Sequence, residues 1–296
     1  MAIYQTATER IQSRAKARRE AYGDALRRAE TDPKYAAAER EFRALTPLAA
    51  KGEKLSEYAA AKSRLDALRK SLRLSLPDPD CPLCGDTGFD GSGRPCRCLR
   101  QEINRLIEES VLGGLPDEFF SEARDDLFGE EKRGFFRKVY AEAKSLAENP
   151  QNFSQCVFVY CGKTGTGKSH LAKCLATELK AKGGTALLFP AYPFFDLLSG
   201  LYKNEDKRVI LSALADSDLL VVDDLGCEAC GEYARNVFLS VLSARMEKKK
   251  LTVFTTNLMP KDLQTVYGER VLSRLFDKSK SKVYLFDGKD ARLSAK

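Results

Sequence analysis

The chain has almost no histidine: His170 stands alone among 296 residues. That excludes a site built on several imidazoles. It also argues against a mixed Cys/His zinc centre, because His170 falls in a helix that opens on a glycine-rich motif. Long apolar runs are missing too. Stretches such as Cys156 to Cys161 are far below the ~20 residues that a membrane span needs. The first twenty residues carry Arg10, Arg14, Lys16, Arg18 and Arg19 with no apolar run behind them, unlike a secretory leader. The chain is therefore expected to be soluble and cytoplasmic. Internal repeats and low-complexity tracts are also lacking.

What is present is ample. The length suggests about two domains, and 43% apolar residues suffice for a sizeable core. Charged residues reach 31%, which implies exposed helices. The net charge of +7 comes from 49 basic and 42 acidic residues. This mild excess permits an acidic partner such as DNA without demanding one. Nine cysteines in such a chain point to metal ligands or free thiols rather than disulfides.

Three regions follow one another. Residues 1–76 are rich in Ala, Leu, Arg, Lys and Glu. Tyr58, Leu65 and Leu72 recur every seven residues, with Ala61 and Leu68 between them. This is a short heptad seam on a polar helix. Asp32-Pro33 and Thr46-Pro47 read as breaks, so a helical hairpin or short coiled coil is expected. The arm either docks on its own protein or grips a partner. Residues 77–112 hold a proline-broken linker (Pro77 and Pro79), a cysteine cluster and a helical stretch. From 117 to 296, short apolar runs alternate with helical ones. The runs are Cys156–Cys161, Thr185–Phe189, Leu219–Val222, Thr252–Thr255 and Lys282–Phe286; helices are expected over 169–182 and 232–248. The pattern predicts an α/β fold with a parallel sheet covered on both faces.

Gly162-Lys163-Thr164-Gly165-Thr166-Gly167-Lys168-Ser169 matches the phosphate-binding loop G-x-x-x-x-G-K-[ST] in full, between a strand and a helix. Gly162, Gly165 and Gly167 let the backbone curl so that N–H groups face phosphate oxygens. The helix N-terminus, with Ser169 and His170 in its first turn, adds positive potential. Lys168 is placed to bridge the β- and γ-phosphates of ATP, and the Ser169 hydroxyl to hold Mg²⁺. Leu219–Val222 runs into Asp223-Asp224. Asp223 is placed to hold Mg²⁺, and Asp224 to polarise the attacking water. Many related ATPases carry Glu at the second position, so the shorter Asp permits slower or more gated hydrolysis. Thr252–Thr256 ends at Asn257, a polar group to position water, with Thr256 the second choice. Arg270 and Arg274 lie four apart on one helix face. Arg274 is the preferred candidate for an arginine finger that reaches a neighbouring subunit's γ-phosphate; the alternative is a salt-bridged surface helix.

Cys81-Pro82-Leu83-Cys84 and Cys96-Arg97-Cys98 form two pairs flanking the turn Asp90-Gly91-Ser92-Gly93. Four thiolates suit a closed tetrahedral Zn²⁺ site. Arg94, Arg97 and Arg100 are close enough in sequence to offset its negative charge. An iron–sulfur cluster or free thiols are the alternatives. Cys227 and Cys230 form a lone C-x-x-C that reads as incidental. Cys156, Cys161 and Cys174 fall in the expected core.

Taken in order, GKTGTGKSHLA (162–172), LLVVDDLG (219–226), TVFTTN (252–257) and GERVLSRL (268–275) resemble the DnaC/DnaI-type replicative helicase loaders of the AAA+ ATPases. The segment CPLCGDTGFDGSGRPCRCL (81–99) resembles the zinc-binding N-terminal region on the DnaI side. The resemblance covers roughly 81–290 and implies a P-loop AAA+ (ASCE) parallel sheet core. The short chain after Tyr267–Lys278 is expected to leave no room for a helical lid. The implied role is an ATPase switch with ATP, Mg²⁺ and Zn²⁺ as cofactors. Its subunits would self-associate into an ATP-dependent oligomer, engage single-stranded DNA and load a hexameric DNA helicase. In loaders of this type the N-terminal region grips the helicase. Lys203, Lys207 and Arg208 become candidates for the DNA-facing surface, with a solvated helix face as the alternative.

Two other readings are of different kinds. An IstB-type transposition helper shares the ATPase core but would act on duplex DNA with a transposase; the four-cysteine module favours the loader. A non-catalytic zinc adaptor is opposed by the intact Lys168, Ser169 and Asp223. A small-molecule kinase lacks an acceptor-binding motif, and here a further strand is expected between the loop strand and the Asp-Asp strand.

Overall fold

The computed structural model describes residues 2–75, 77–112, 117–122, 130–150, 153–226 and 231–288. The chain divides into two compact units, one of Met1–Ala7 with Arg97–Lys296 and one of Thr8–Cys96. The second unit is helical. Its chain follows α1 (Ala2–Glu30), α2 (Pro33–Ala49) and α3 (Leu55–Ser71). The break expected at Asp32-Pro33 is present: the Asp32 carboxylate caps the Lys34 and Tyr35 N–H groups, and Pro33 begins α2. The break expected at Thr46-Pro47 is not. Pro47 lies inside α2, and the turn falls at 50–54, where Gly52 and Lys54 take positive φ. Pro47 has no N–H to offer the Arg43 carbonyl one turn back, so α2 loses a rung there without ending. The Thr46 hydroxyl bonds the Phe42 carbonyl, occupying an acceptor in the turn that the proline disturbs.

The heptad seam is real but shorter than expected. Ala61 and Leu65 are buried, and Leu65 packs with Tyr35, Ala38, Ala29 and Leu74. Tyr58 stacks on Phe42 at 5.2 Å between ring centres. Leu72 is exposed, because α3 ends at Ser71 and the seam ends with it.

The first unit is built on five parallel strands: β1 (Val157–Gly162), β2 (Ala186–Pro190), β3 (Leu219–Asp223), β4 (Leu251–Thr256) and β5 (Ser281–Phe286). Their order is β2-β3-β4-β1-β5. The loop strand and the Asp-Asp strand are thus separated by β4, as anticipated. One face is sealed by α6 (Lys168–Ala181) and α5 (Glu130–Glu148). There Leu171, Leu175 and Leu179 meet Phe158, Val221 and Val253. The other face is aromatic. Phe254 of β4 packs against Phe238 of α9 (Glu232–Glu247), which meets Phe195 of α7 (Ala191–Gly200) at 5.2 Å. Helix α8 (Lys207–Asp216) precedes β3. Two short helices, α10 (Pro260–Tyr267) and α11 (Glu269–Leu275), precede β5.

Two devices hold the strand ends away from the cradle. The fully buried Arg245 of α9 donates to the carbonyls of Leu214, Ser217 and Leu251 and to the Thr252 hydroxyl. Asp218 accepts from the Thr185 N–H and hydroxyl and pairs with Lys250 at 2.9 Å. At the β2 edge, α4 (Arg97–Leu112) lays a polar stripe along the strand. Gln101 donates to the Gly184 carbonyl, Asn104 to that of Ala186, and Glu108 accepts from the Leu188 N–H at 2.7 Å. These side chains satisfy backbone groups that a neighbouring strand would otherwise pair.

Candidate functional site

Ligands of open parallel sheets sit beyond the carboxyl ends of the strands. Here β1, β3 and β4 end together. Gly162 closes β1 with φ 135°; a Cβ at that position would lie 2.1 Å from the Phe286 carbonyl oxygen. Gly165 and Gly167 also take positive φ, 73° and 86°, so the chain curls into the first turn of α6. Thr164 is exposed at the loop tip. The Thr166 hydroxyl is turned inward and donates to the Lys163 carbonyl at 2.7 Å. Lys163 is tied to Asp287, which also holds Lys132. These two ammonium groups hold the Asp287 carboxyl below its usual pKa.

Lys168 is buried. Its Nζ donates to the carbonyls of Gly162 (2.9 Å) and Lys163 (2.6 Å) and to Asn257 Oδ1 (2.9 Å). Asn257 Nδ2 in turn donates to Asp224 Oδ1 at 2.8 Å. Three residues singled out on separate segments therefore form one chain of hydrogen bonds across the cradle mouth. Asp224 holds the left-handed conformation, φ 60°, uncommon for a side chain other than Gly. Asp223 is half-buried at the end of β3 and accepts from the Thr255 hydroxyl at 2.5 Å. Ser169 stands half-buried in the first turn of α6.

Other expectations resolve differently. Thr256 cannot serve as the second water-positioning group. It is fully buried, donates to the Leu225 carbonyl at 2.5 Å and accepts from the Leu258 N–H. His170 turns to Glu118, 2.5 Å from Nδ1, with Lys173 also paired to that carboxylate at 2.9 Å. Burial alone would raise the Glu118 pKa, but Lys173 and His170 outweigh it and lower it. Arg274 is exposed in the last turn of α11, outside this network. Cys156, Cys161 and Cys174 are buried in the core as expected; burial pushes Cys174 up to about 12, which makes it a poor nucleophile. Cys227 and Cys230 lie outside the described residues. The sequence reading missed Thr255 and Glu118, because a strand threonine and a lone acid in a loop carry no motif.

The cysteine cluster assembles. The Sγ atoms of Cys81, Cys84, Cys96 and Cys98 lie within 4.8 Å of one another, and those of Cys81 and Cys96 are 3.8 Å apart. Zinc–sulfur bonds of ~2.3 Å in a tetrahedron place sulfurs about 3.8 Å apart, so the donor set fits Zn²⁺. Gly85, Asp86 and Gly88 take positive φ and wrap the chain around the first pair. The buried Asp86 carboxylate accepts from the Cys81 N–H at 2.8 Å and pairs with Arg18. Arg94, expected to offset the cluster's charge, instead pairs with Asp90 at 3.1 Å.

No helix among the described residues is long and apolar enough to cross a membrane. The family described as IstB-like ATP binding protein matches residues 142–285. The replicative helicase loader DnaC of Escherichia coli (strain K12) is 28% identical over 120 residues, 40% of this chain and 49% of that protein. DnaC of Buchnera aphidicola subsp. Acyrthosiphon pisum is 30% identical over 142 residues, 47% of this chain and 57% of that protein. The chain thus spans about half the length of the curated relatives it matches. Among solved structures, a DnaC helicase loader aligns over 51% of this chain and 89% of that one, with TM-score 0.44 and 22% identity. A DnaI structure aligns over 59% and 90%, with TM-score 0.46 and 20% identity. Residues 142–285 are thus similar to the IstB-like ATP binding proteins and carry the phosphate-binding loop on a five-stranded parallel sheet, in a chain similar over part of its length to the replicative helicase loader DnaC.

Proposed function

We propose that this protein is an ATP-dependent loader that delivers a hexameric replicative helicase onto single-stranded DNA, switching through ATP binding and hydrolysis at inter-subunit sites. The observation that carries the reading is the chain Lys168–Asn257–Asp224 across the cradle mouth. It links the phosphate-binding lysine to the group assigned to the attacking water, so an arriving γ-phosphate must compete for both. In this reading Gly162, Thr164, Gly165, Thr166 and Gly167 wrap the phosphates, while Lys168 bridges β and γ. Ser169 and Asp223 hold Mg²⁺, which supplies charge neutralisation at the phosphates. His170, paired to Glu118, steadies the first turn of α6 rather than touching phosphate. Arg274 of one subunit completes the site of the next.

Single-stranded DNA is assigned to the surface that follows β2. Lys203 and Arg208 are exposed, as is Tyr202 at 73%. Tyr202 meets Tyr233 edge-on, and Lys207 lies over the Tyr233 ring. Aromatic faces among cations suit stacked bases and a phosphate backbone. The four-cysteine module binds Zn²⁺ structurally, and the helical arm grips the helicase.

Co-purification with the host's replicative helicase, with and without ATP, tests the proposal. Capture is expected for the wild type, with assembly lost in Lys168→Ala. Unchanged ATP binding and assembly in Lys168→Ala would sink the switch. The match of 142–285 to an IstB-like family supports a second reading, a transposition helper. Capture of a transposase and duplex DNA, with no helicase, would favour it.

A further inference from the structure

We propose that Thr255 is a positioning residue for ATP hydrolysis, setting the Mg²⁺-binding and water-polarising carboxylates in register through one hydroxyl. The inference rests on the ATPase reading above. Thr255 is 1% exposed, near the end of β4. Strand β4 lies between β1 and β3, so its end falls beside both the cradle and the Asp-Asp pair. The hydroxyl makes two bonds in opposite senses. It donates to Asp223 Oδ1 at 2.5 Å and accepts from the Asp224 N–H at 2.8 Å. The Leu225 N–H then returns to the Thr255 carbonyl at 2.8 Å.

These bonds meet at a point of backbone strain. Asp224 sits at φ 60°, a conformation that persists in a residue other than Gly where the surrounding structure holds it. The Thr255 hydroxyl holds the N–H of that residue, and Asn257 holds its side chain. The donated proton also leaves Asp223 Oδ1 with one lone pair less for other partners, so Oδ2 is the oxygen more open to the Mg²⁺ shell. Valine has the same shape without the hydroxyl; serine keeps the hydroxyl. Both fit a buried strand site.

The test is steady-state ATP hydrolysis against Mg²⁺ concentration, with equilibrium binding of a fluorescent ATP analogue, for wild type, Thr255→Val and Thr255→Ser. Thr255→Val should lose about 10- to 100-fold in kcat. Its analogue affinity should stay within about twofold of wild type. Its half-saturating Mg²⁺ should rise, and Thr255→Ser should restore both properties. Hydrolysis by Thr255→Val at the wild-type rate with unchanged Mg²⁺ dependence would overturn the proposal. So would a parallel loss of binding and hydrolysis, the mark of a packing role alone. A wild-type chain that binds ATP and never hydrolyses it would refute the ATPase reading instead. In that case the Mg²⁺ affinity of the nucleotide complex still decides the Thr255–Asp223 claim: equal affinities in wild type and Thr255→Val would end it.

Discussion

Single side chains at the cradle differ in what their loss should do. Asn257 accepts from Lys168 and donates to Asp224, so Asn257→Ala frees both while leaving the phosphate loop intact. Hydrolysis is expected to fall about 100- to 1000-fold, as for removal of one preorganised polar group, with ATP affinity nearly unchanged; a binding assay beside a turnover assay separates the two. Gly162 behaves differently. An added methyl would overlap the Phe286 carbonyl at a φ of 135°, so Gly162→Ala should lower the melting temperature as well as abolish nucleotide binding. Far from the site, burial works against the Asp218 carboxylate, but Thr185 and Lys250 outweigh it and hold its pKa below the usual carboxylate range. A depressed carboxylate stabilises the fold above its unfolded pKa, and that stability is lost as pH falls through the folded value. Thermal stability should therefore drop below about pH 4, and Asp218→Asn should be less stable at neutral pH and show a flatter acid limb in pH-dependent melting.

Elements, rather than residues, show what the sequence makes legible. The five strands fall within a residue or so of their expected spans, because each is a short apolar run between helical periods. The cradle and the ends of β3 and β4 were readable for the same reason: motif residues are consecutive in the chain. Thr255 was not, since its role depends on β4 lying beside β3, a pairing no local pattern states. Pro47 misled because a proline removes one rung of the preceding turn without having to end the helix. The burial of Arg245 was equally hidden, since its partners come from α8, the turn after it and β4. At the cysteine cluster the spacing was sufficient, and the local backbone supplies the rest. Chelation gives the matching prediction. A strong chelator should release one Zn²⁺ per chain, measured with a colorimetric indicator. Thr8–Cys96 should lose protection from proteolysis, because metal binding supplies roughly 10–16 kcal/mol in comparable small zinc sites.

For the molecule as a whole, the polar stripe on α4 decides where the ATP-binding unit can be cut. The alternation of strands and helices suggests a domain starting near residue 117, yet the compact unit takes in Arg97 onward. A fragment starting at 117 would keep every strand and the whole cradle. It would also bare the outer backbone of β2, whose partners are Gln101, Asn104 and Glu108. An uncovered edge strand invites another chain to pair with it. The fragment 117–296 should therefore precipitate or form β-rich aggregates that bind thioflavin, while 97–296 should elute as a discrete species in size-exclusion chromatography. Solubility of the nucleotide-binding half is thus set by a helix that carries none of its chemistry.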